Sequence, residues 1–586
     1  MRGSIAVKGL GLCCLAVLLA VFFACAGKEP EAPQDTGAQE PTPEVCLIRD
    51  GDPEVVLMRP DDESDGAAQA MSAIASCIQE LCGKAPTLAT DFDWDRYADS
   101  AKILIGGVDC DQSREAASAL NYGEYSISLK EGCVVVYTHA ESELTMATKK
   151  LTEFMRANYR DGGLCFSGED AMVGETQRAI TGVPSVDAFS SAYEISGASA
   201  HQFLYNGMEA GDAAGYGEKL KANGFSEVRF YEVAGMTFRT YTGKDMAITT
   251  AYTAVENSLR VIVEPEENLF VQDENQYTAV TTPKLAMIGS FFDRENNLSG
   301  LMCFVLQLSD GRFLVIDGGV ASTEFGDRIY NTMKELSGSA DVTVAAWIFT
   351  HPHNDHVGGF LSLAPRYSEH VAVERFIYHF VSYSVADAVE SGASYIKSTE
   401  ACIQRYYPDA IVNKCHRGQV YNIADARIEY YYTADEYMTA SRKMVDTRLG
   451  NNTSTIFSID IAGQRIMFLG DSQEIPNNET ASRYGGYLKS DIVQVAHHGG
   501  LGGTSAIYRA IDAQVALFTT DDSLLPGYIE TYTGNQTLIN NPNLKEYFNV
   551  DDRIYIFELP YTPTGEGWIL PDADHADQTV WYYPVQ

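Results

Sequence analysis

The stretch THPHNDHVGG, residues 350–359, holds three of the chain's 11 histidines and an aspartate within six positions. It follows an apolar run, residues 342–349, that predicts a strand buried on both faces. The polar residues therefore fall in the turn after this strand and at the start of a helix, where layered α/β folds display functional groups. Imidazole nitrogen and carboxylate oxygen are preferred ligands of zinc and similar cations, so the spacing predicts two adjacent metal sites.

Three further apolar runs end in the same way. The segments GRFLVIDGG, QRIMFLGDS and SDIVQVAHHGG are each β-branched and apolar up to a polar or glycine-rich turn. These turns contain Asp317, Asp471 and the pair His497 and His498. The runs predict buried strands of one layered α/β domain, with its functional groups gathered at the strand ends.

Because HPHNDH, VIDGG, FLGDS and VAHHGG occur together, residues 285–560 resemble the metallo-β-lactamase superfamily. The resemblance implies an αββα sandwich over residues 280–586, preceded by two smaller α/β modules. The metal ligands that it implies are His351 and His353 on one metal, Asp355, His356 and His498 on the other, and Asp471 between the two. His497 is implied to contact substrate or transfer a proton, although the roles of the two adjacent histidines could be reversed. Asp317 is implied to orient a ligating histidine.

The segment GNNTSTIFSI, residues 450–459, narrows the resemblance to one branch of the superfamily. Together with AHHGG it resembles the hydrolase domain of ComEC-type DNA-uptake proteins and the phosphorylcholine esterases that trim teichoic acids. A further histidine ligand of the β-lactamases is missing, since between His356 and His497 only His370, His379 and His416 occur, none in a matching context. The branch lacks that ligand, which implies an open coordination position suited to hydrolysis.

The implied chemistry is hydrolysis with two divalent cations, zinc or alternatively manganese. Such a pair, ~3.5 to 4 Å apart, makes a shared water react as hydroxide near neutral pH and polarises the bond under attack. Asp355 and His497 are the candidate catalytic residues. Asn452 and Ser454 are candidates for hydrogen bonding to a metal-bound group. The branch resemblance favours a phosphodiester or phosphoryl ester as the bond that is cleaved.

The N-terminal segment MRGSIAVKGLGLCCLAVLLAVFFAC resembles a bacterial lipoprotein signal that ends at Cys25, with Phe22 where leucine is usual. It predicts a signal peptide over residues 1–24 and a lipid anchor on Cys25, with an uncleaved membrane anchor as the alternative. Both interpretations place the protein outside the cytoplasmic membrane, in the cell envelope. Residues 25–44 are rich in proline, glutamate and glutamine and predict a disordered tether.

Two modules are predicted between the tether and the metal-binding domain. Residues 45–180 predict a small α/β module, in which ILIGGVD and YSISLKEGCVVVY resemble the domain that precedes the catalytic barrel of several bacterial glycosidases. Glycan association and a purely structural role both remain open for it. Residues 185–275 predict a second small α/β module for packing or partner binding, with a helix stopped by Gly224. The cysteines are spread thinly and do not predict a disulfide scaffold.

The charge balance weighs on the choice of substrate. The chain has 42 lysines and arginines against 80 aspartates and glutamates, a formal net charge of −38. Such acidity argues against nucleic acid as the main partner. Export leaves envelope polymers, such as teichoic acids or phosphorylated glycans, and phosphorylated small molecules as substrates. An extracellular nuclease is the second hypothesis, and a non-catalytic ligand-binding lipoprotein is the third.

Overall fold

The computed structural model describes residues 43–563, except 62–64, 177–179, 190, 195–199, 271–275, 290–300, 384–385, 388–392, 438–448 and 551–552, and also 568–569 and 583–584. The predicted signal peptide, Cys25 and almost all of the predicted tether lie outside the described residues. Among the helices that are described, none has the length and apolar character needed to cross a bilayer.

The first module contains two sheets and three helices. Its strands are β1 (Glu44–Arg49), β2 (Asp52–Pro53), β3 (Val55–Arg59), β4 (Thr87–Thr90), β5 (Ala101–Ile105), β6 (Glu124–Lys130), β7 (Cys133–Thr138), β8 (Leu164–Ser167) and β9 (Met172–Glu175). Its helices are α1 (Asp65–Cys82), α2 (Asp111–Ala119) and α3 (Leu144–Asn158). The sheets have the orders β2-β1-β8 and β4-β3-β5-β7-β6-β9. A disulfide between Cys46 and Cys165 joins β1 to β8.

The second module is a six-stranded antiparallel sheet with one helix. Its elements are β10 (Ser191–Glu194), β11 (His201–Asn206), α4 (Ala210–Ala222), β12 (Ser226–Val233), β13 (Met236–Gly243), β14 (Met246–Thr253) and β15 (Ser258–Pro265). The strand order is β10-β11-β15-β14-β13-β12. Gly224, just after α4, has a φ of 90°, which side chains disfavour, so glycine suits the end of this helix.

The third domain is the αββα sandwich. Its strands are β16 (Lys284–Ile288), β17 (Cys303–Gln307), β18 (Phe313–Asp317), β19 (Val342–Ile348), β20 (Val371–Val373), β21 (Arg375–Ile377), β22 (Ile411–Asn413), β23 (Val420–Ile423), β24 (Ala426–Tyr432), β25 (Ile456–Ile461), β26 (Gln464–Phe468), β27 (Ile492–Gln494), β28 (Val515–Phe518), β29 (Glu546–Asn549), β30 (Ile554–Glu558), β31 (Trp568–Ile569) and β32 (Tyr583–Pro584). Its helices are α5 (Thr323–Ser337), α6 (Asn354–Tyr367), α7 (Ala393–Tyr406), α8 (Ala434–Tyr437), α9 (Leu449–Asn452), α10 (Glu474–Tyr484), α11 (Ser505–Ile511), α12 (Leu525–Thr531) and α13 (Thr533–Ile539).

Two sheets form the centre of this domain. One has the order β22-β21-β19-β18-β17-β16-β30-β31, with β20 beside β19, and the other runs from β23 to β29 in sequence order and then β32. Phe304 and Phe468 meet between the sheets, with ring centroids 5.3 Å apart. Helices α5 and α6 pack on the first sheet and α11 packs on the second, each through its buried apolar face. The predicted α/β class and αββα sandwich are confirmed.

The second module packs directly against the sandwich. Phe238 of β13 belongs to the same buried cluster as Tyr431 and Met467 of the second sheet. A Cβ atom at Gly418 would overlap the Phe238 ring, so glycine is needed for this close approach. The Tyr231 hydroxyl of β12 donates a hydrogen bond to Glu429 of β24. This interface shares a hydrophobic core with the sandwich, as a fixed part of one fold would.

A buried cluster of charges crosses the same interface. Arg260 and Glu264 come from β15, and His416 and Asp435 come from the sandwich; each is at most 2% exposed. Arg260 lies 2.9 Å from Asp435 Oδ2, and His416 Nε2 lies 2.5 Å from Glu264 Oε1. His416 Nδ1 is 3.3 Å from Asp435 Oδ2. Burial opposes the charge on His416, but Glu264 and Asp435 outweigh it and raise its pKa to about 9.

This cluster also contains the atoms of a candidate cation site. His379, His416 and Asp435 each offer one ligating atom within 4.8 Å of the others. However, the two cations Arg260 and protonated His416 already balance the two carboxylates. A divalent cation in place of the proton would leave a net positive charge buried, which is costly. The charge count therefore assigns a proton to His416.

A His416→Gln variant tests this assignment. Because the folded pKa of about 9 lies above the ordinary 6.5, the stabilisation is complete below about pH 6.5 and is lost as the pH rises through 9. At pH 7 we expect the free energy of unfolding of the variant to be about 3 kcal/mol lower than that of wild type. At pH 10 we expect this difference to be smaller. Chemical unfolding of both proteins at the two pH values measures it. An equal difference at both pH values would contradict the assignment.

Deletion of the second module tests whether it is part of the fold. Loss of residues 185–275 strips His416 and Asp435 of their partners, at a cost of about 3–5 kcal/mol for a broken buried pair. We expect residues 276–586 to lack cooperative unfolding and to be cut rapidly by protease. A chain that begins at residue 181 keeps the interface and is the matched control. Cooperative unfolding of the shorter chain would show that the sandwich folds without the module.

Candidate metal centre

The candidate site lies between the two sheets, at the carboxyl ends of their parallel strands. β18 and β19 are parallel neighbours in one sheet, and β26, β27 and β28 are parallel neighbours in the other. Asp317 ends β18, and the segment His351–His356 follows β19. Asp471 follows β26, and His497 and His498 follow β27. The topology thus brings all the sequence-predicted ligands to one place.

Asp317 is fully buried and holds the histidine segment in position. Its Oδ1 accepts a hydrogen bond from the Thr350 N–H (2.7 Å), and its Oδ2 accepts one from the Thr350 hydroxyl (2.8 Å). His356 Nδ1 lies 2.7 Å from the same Oδ2 and donates to it. Because Nδ1 carries the proton of this bond, His356 presents Nε2 to the cluster.

The helix α6 begins at Asn354, two residues before the start that HVGG indicates, so Asp355 and His356 lie in its first turn. Two glycines allow the helix to approach the turn after β18. A Cβ atom at Gly359 would overlap the backbone carbonyl of Gly318. A Cβ atom at Gly358 would collide with the backbone of Val320 and Ala321. The glycines of the motif are therefore required by packing, and they set the depth of the histidines.

Asp471 lies at the centre of the cluster. Its Oδ1 is 3.1 Å from His356 Nε2, and its Oδ2 is 3.3 Å from His498 Nε2. The same Oδ2 is 3.9 Å from His351 Nε2. The His351 ring in turn lies 4.6 Å from the His353 ring, measured between centroids. Asp471 thus faces both predicted groups of ligands, as a carboxylate between two cations would.

His497 and His498 point to different places although they are adjacent. Both have a left-handed backbone, with φ of 52° and 57°. His498 is buried, its Nδ1 is 2.8 Å from the Thr519 hydroxyl, and its Nε2 is 3.2 Å from Asp355 Oδ2. The His497 side chain is 29% exposed, and its Nδ1 donates to the Leu501 carbonyl (2.9 Å). The geometry therefore groups His498 with Asp355, His356 and Asp471, and places His497 at the open side of the cluster.

The cluster stabilises positive charge at His498 but not at His351. Burial opposes ionisation of the Asp355 carboxyl, but the nearby His498 Nε2 and the charge of His356 outweigh it and lower its pKa to about 2. Burial also opposes protonation of His498, but Asp471 and Asp355 outweigh it and raise its pKa to about 9. Burial and the neighbouring His356 hold the pKa of His351 well below its usual range, so its imidazole is neutral. A pocket of this kind favours a bound cation.

The donor atoms fit a divalent cation. One ligating atom each from Asp355, His356, Asp471 and His498 lies within 4.8 Å of the others. Four buried atoms have no hydrogen-bond partner among the described residues: Nε2 of His351, His356 and His498, and Oδ1 of Asp471. Leaving such an atom unsatisfied costs about 1–3 kcal/mol, which a metal between them would offset. Nitrogen and oxygen donors of this type suit zinc and similar ions.

The three histidines between the motifs lie elsewhere. His370 is half exposed and lies 2.9 Å from Asp341 at the surface. His379 and His416 belong to the separate buried charge cluster with Asp435. The structure therefore places none of the three with the metal ligands, as the sequence comparison within the superfamily implies.

Several neighbours of the ligands escaped the sequence analysis. Thr519 holds His498, and the Asn451 amide lies 3.3 Å from His497 Nε2. Thr519 could have been found, because VALFTTDD is another apolar run that ends in polar residues. Of the two candidates in the NNTS segment, Ser454 accepts a hydrogen bond from the Asp471 N–H (3.1 Å), and Asn452 is buried. The Ser454 hydroxyl thus supports a ligand's backbone.

One protein family matches the part of the chain that carries this site. The family model for the metallo-beta-lactamase superfamily matches residues 300–516. No curated protein matches the chain.

Among solved structures, the metallo-beta-lactamase fold protein YhfI from Bacillus subtilis is 14% identical, with 43% of this chain aligned to 95% of that one at a TM-score of 0.28. CmlA, a diiron beta-hydroxylase from Streptomyces venezuelae, is 13% identical over 43% of this chain and 46% of that one, at a TM-score of 0.26. A subclass B3 metallo-beta-lactamase from a soil metagenome library is 14% identical over 47% and 97% of the two chains, at a TM-score of 0.23.

The matched range of the family model contains every predicted ligand and the strands that carry them. This chain therefore carries a metallo-beta-lactamase superfamily domain.

Proposed function

We propose that the protein is a metal-dependent hydrolase that cleaves a phosphodiester or phosphoryl ester in an envelope polymer or a related substrate. The observation that carries the proposal is the buried cluster in which Asp471 faces imidazole nitrogens without hydrogen-bond partners among the described residues. Superfamily members are generally hydrolytic metalloenzymes that bind divalent metals, often two. Burying nitrogen and oxygen atoms without hydrogen bonds costs free energy. Catalysis explains such an arrangement better than ligand capture alone.

We propose two cations at these residues, with zinc as the proposed metal and manganese as the alternative. When bound, the pair would activate a water molecule and polarise the bond under attack. The proposed assignment gives His351 and His353 to one cation, Asp355, His356 and His498 to the other, and Asp471 to both. The buried carboxylates and the orienting bonds of Asp317 and Thr519 would hold these ligands in place without further movement.

Two members of the cluster are open to substrate. The Asp355 side chain is 32% exposed and the His497 side chain is 29% exposed. His497 Nδ1 donates to the Leu501 carbonyl, so Nε2 is the ring atom that can exchange a proton with a substrate or a leaving oxygen. The Asn451 amide beside Nε2 supports this orientation of the ring. We propose that His497 performs proton transfer, or contacts the substrate, at this atom.

The choice of a phosphoryl substrate rests on open coordination and on the branch resemblance. The further histidine ligand of the β-lactamases is missing from this sequence, so one cation would have fewer protein ligands and more room for substrate oxygens. A phosphodiester places two negatively charged oxygens against the cations, which suits such a face. The net charge of −38 makes nucleic acid a weaker candidate than an envelope polymer.

A location outside the cytoplasmic membrane has two independent supports. The N-terminal segment resembles a lipoprotein signal, with Cys25 as the proposed lipid anchor. The disulfide between Cys46 and Cys165 is a bond that persists in oxidising compartments and is rare in the cytosol. We therefore propose that the protein is an exported lipoprotein of the cell envelope.

Turnover of a chromogenic phosphodiester by residues 26–586 loaded with zinc tests the activity. We expect hydrolysis that falls by about 100-fold or more in an Asp471→Asn variant, because the central carboxylate is lost. Asp460→Asn is the matched control, since Asp460 is also a carboxylate with limited exposure, but it pairs with Arg465 and not with the histidines of the cluster. Two bound metals without diester cleavage would overturn the phosphodiester proposal and point to carboxylic esters, lactones or amides.

Measuring metal content distinguishes the proposed roles of the adjacent residues His497 and His498. His498→Ala should reduce bound zinc from two ions to about one, because a ligating nitrogen is removed. His497→Ala should keep two ions and lower kcat by about 100-fold, the usual contribution of a general acid or base. Elemental analysis and steady-state kinetics on both variants measure these quantities. If His497→Ala loses the metal and His498→Ala keeps it, the two roles are reversed.

A further inference from the structure

Gln494, the last residue of β27, makes four hydrogen bonds to the backbone beside the metal centre. Its Oε1 accepts from the N–H groups of Leu469 and Gly470, both at 2.8 Å. Its Nε2 donates to the carbonyls of Gly470 (3.1 Å) and Val495 (2.7 Å). The side chain is fully buried. A glutamine amide has two acceptor positions and two donor hydrogens, and here all four are used.

These bonds replace the sheet ladder where β26 ends. β26 and β27 pair in parallel through Ile466–Ile492 and Met467–Val493. Beyond that point the chain turns at Gly470, whose φ of 54° lies in the left-handed region. A Cβ atom there would lie 3.0 Å from the side chains of Ser454 and Thr350, so the turn is also closely packed. Gln494 therefore satisfies the backbone groups that the turn takes out of the ladder.

The turn leads directly to the central ligand. Asp471 follows Gly470, and its own N–H donates to the Ser454 hydroxyl (3.1 Å). The Gly470 carbonyl accepts a second hydrogen bond, from the N–H of His497 (3.0 Å). Gln494 is thus bonded to the residues before Asp471 on one strand and to Val495, which leads into the His497–His498 turn, on the next strand.

The geometry points to Gln494 as a positioning residue that fixes Asp471 relative to His498, and thereby sets the affinity and coordination of the metal that they share. This inference rests on the proposed metal-dependent function. No other side chain of this length offers two donors and two acceptors on one planar group, since glutamate only accepts and leucine does neither. The amide orientation is also fixed, because a flip would set its NH₂ group against two N–H donors.

Cobalt binding to the full chain tests the inference without any substrate. Gln494→Leu should weaken binding of one of the two cobalt ions by about 10- to 100-fold and change the visible absorption of the bound cobalt. Gln494→Glu keeps the acceptor oxygens but faces the Gly470 and Val495 carbonyls without donors. It should also weaken cobalt binding and change the spectrum, and it provides the test if the leucine variant does not fold.

A matched control separates positioning from general stability. Gln419 is also buried and accepts hydrogen bonds from His416 N and the Tyr421 hydroxyl, but it lies in the charge cluster away from the metal ligands. Gln419→Leu should lower the unfolding midpoint and leave the cobalt affinity and spectrum unchanged. Wild-type cobalt affinity and spectrum in both Gln494 variants would overturn this inference alone. A wild-type protein that binds no cobalt would overturn the proposed function together with it.

Discussion

The hydrogen bonds of the Asp317 carboxylate constrain the rest of the metal centre. A buried carboxylate without partners would be too costly to keep, and Asp317 meets this requirement with Thr350 and His356. The same bonds join the ends of β18 and β19 to the first turn of α6. Asp317 itself has a φ of 56°, a conformation that costs about 1–3 kcal/mol and persists only where its surroundings hold it. The imidazoles can converge because this carboxylate fixes the segment that carries three of them.

The interface between the second module and the sandwich is also constrained by buried charges. The module's contacts with the sandwich combine apolar packing at Phe238 with a balanced set of four buried charges. Buried charges tolerate neither loss of a partner nor a shift in register, so they specify one docked arrangement.

The sandwich, and the residues that converge in the cluster, can be predicted from the sequence because the relevant signals are local. The six positions from His351 to His356 carry four of them, and a strand end is recognisable from the apolar run before it. The partners of the ligands are harder to find, since Thr519 and Gln494 are ordinary residues whose importance depends on which strands are neighbours. Residue pairs that cross the interface between the second module and the sandwich are even harder to predict. Glu264 and His416 are 152 positions apart, and Arg260 and Asp435 are 175 apart, so no pattern within one sequence joins them.

The cross-link at the start of the first module has a mechanical consequence. Cys46 is the third residue of β1, the strand through which the chain enters the described fold, and Cys165 lies opposite it on β8. A pull on the preceding residues therefore reaches a covalent bond after three residues of the strand. The force passes into β8 before it separates any hydrogen bonds of the six-stranded sheet β4-β3-β5-β7-β6-β9. Any force applied through the residues before β1 would thus be carried by a covalent bond as well as by the hydrogen bonds of the β1–β8 pair.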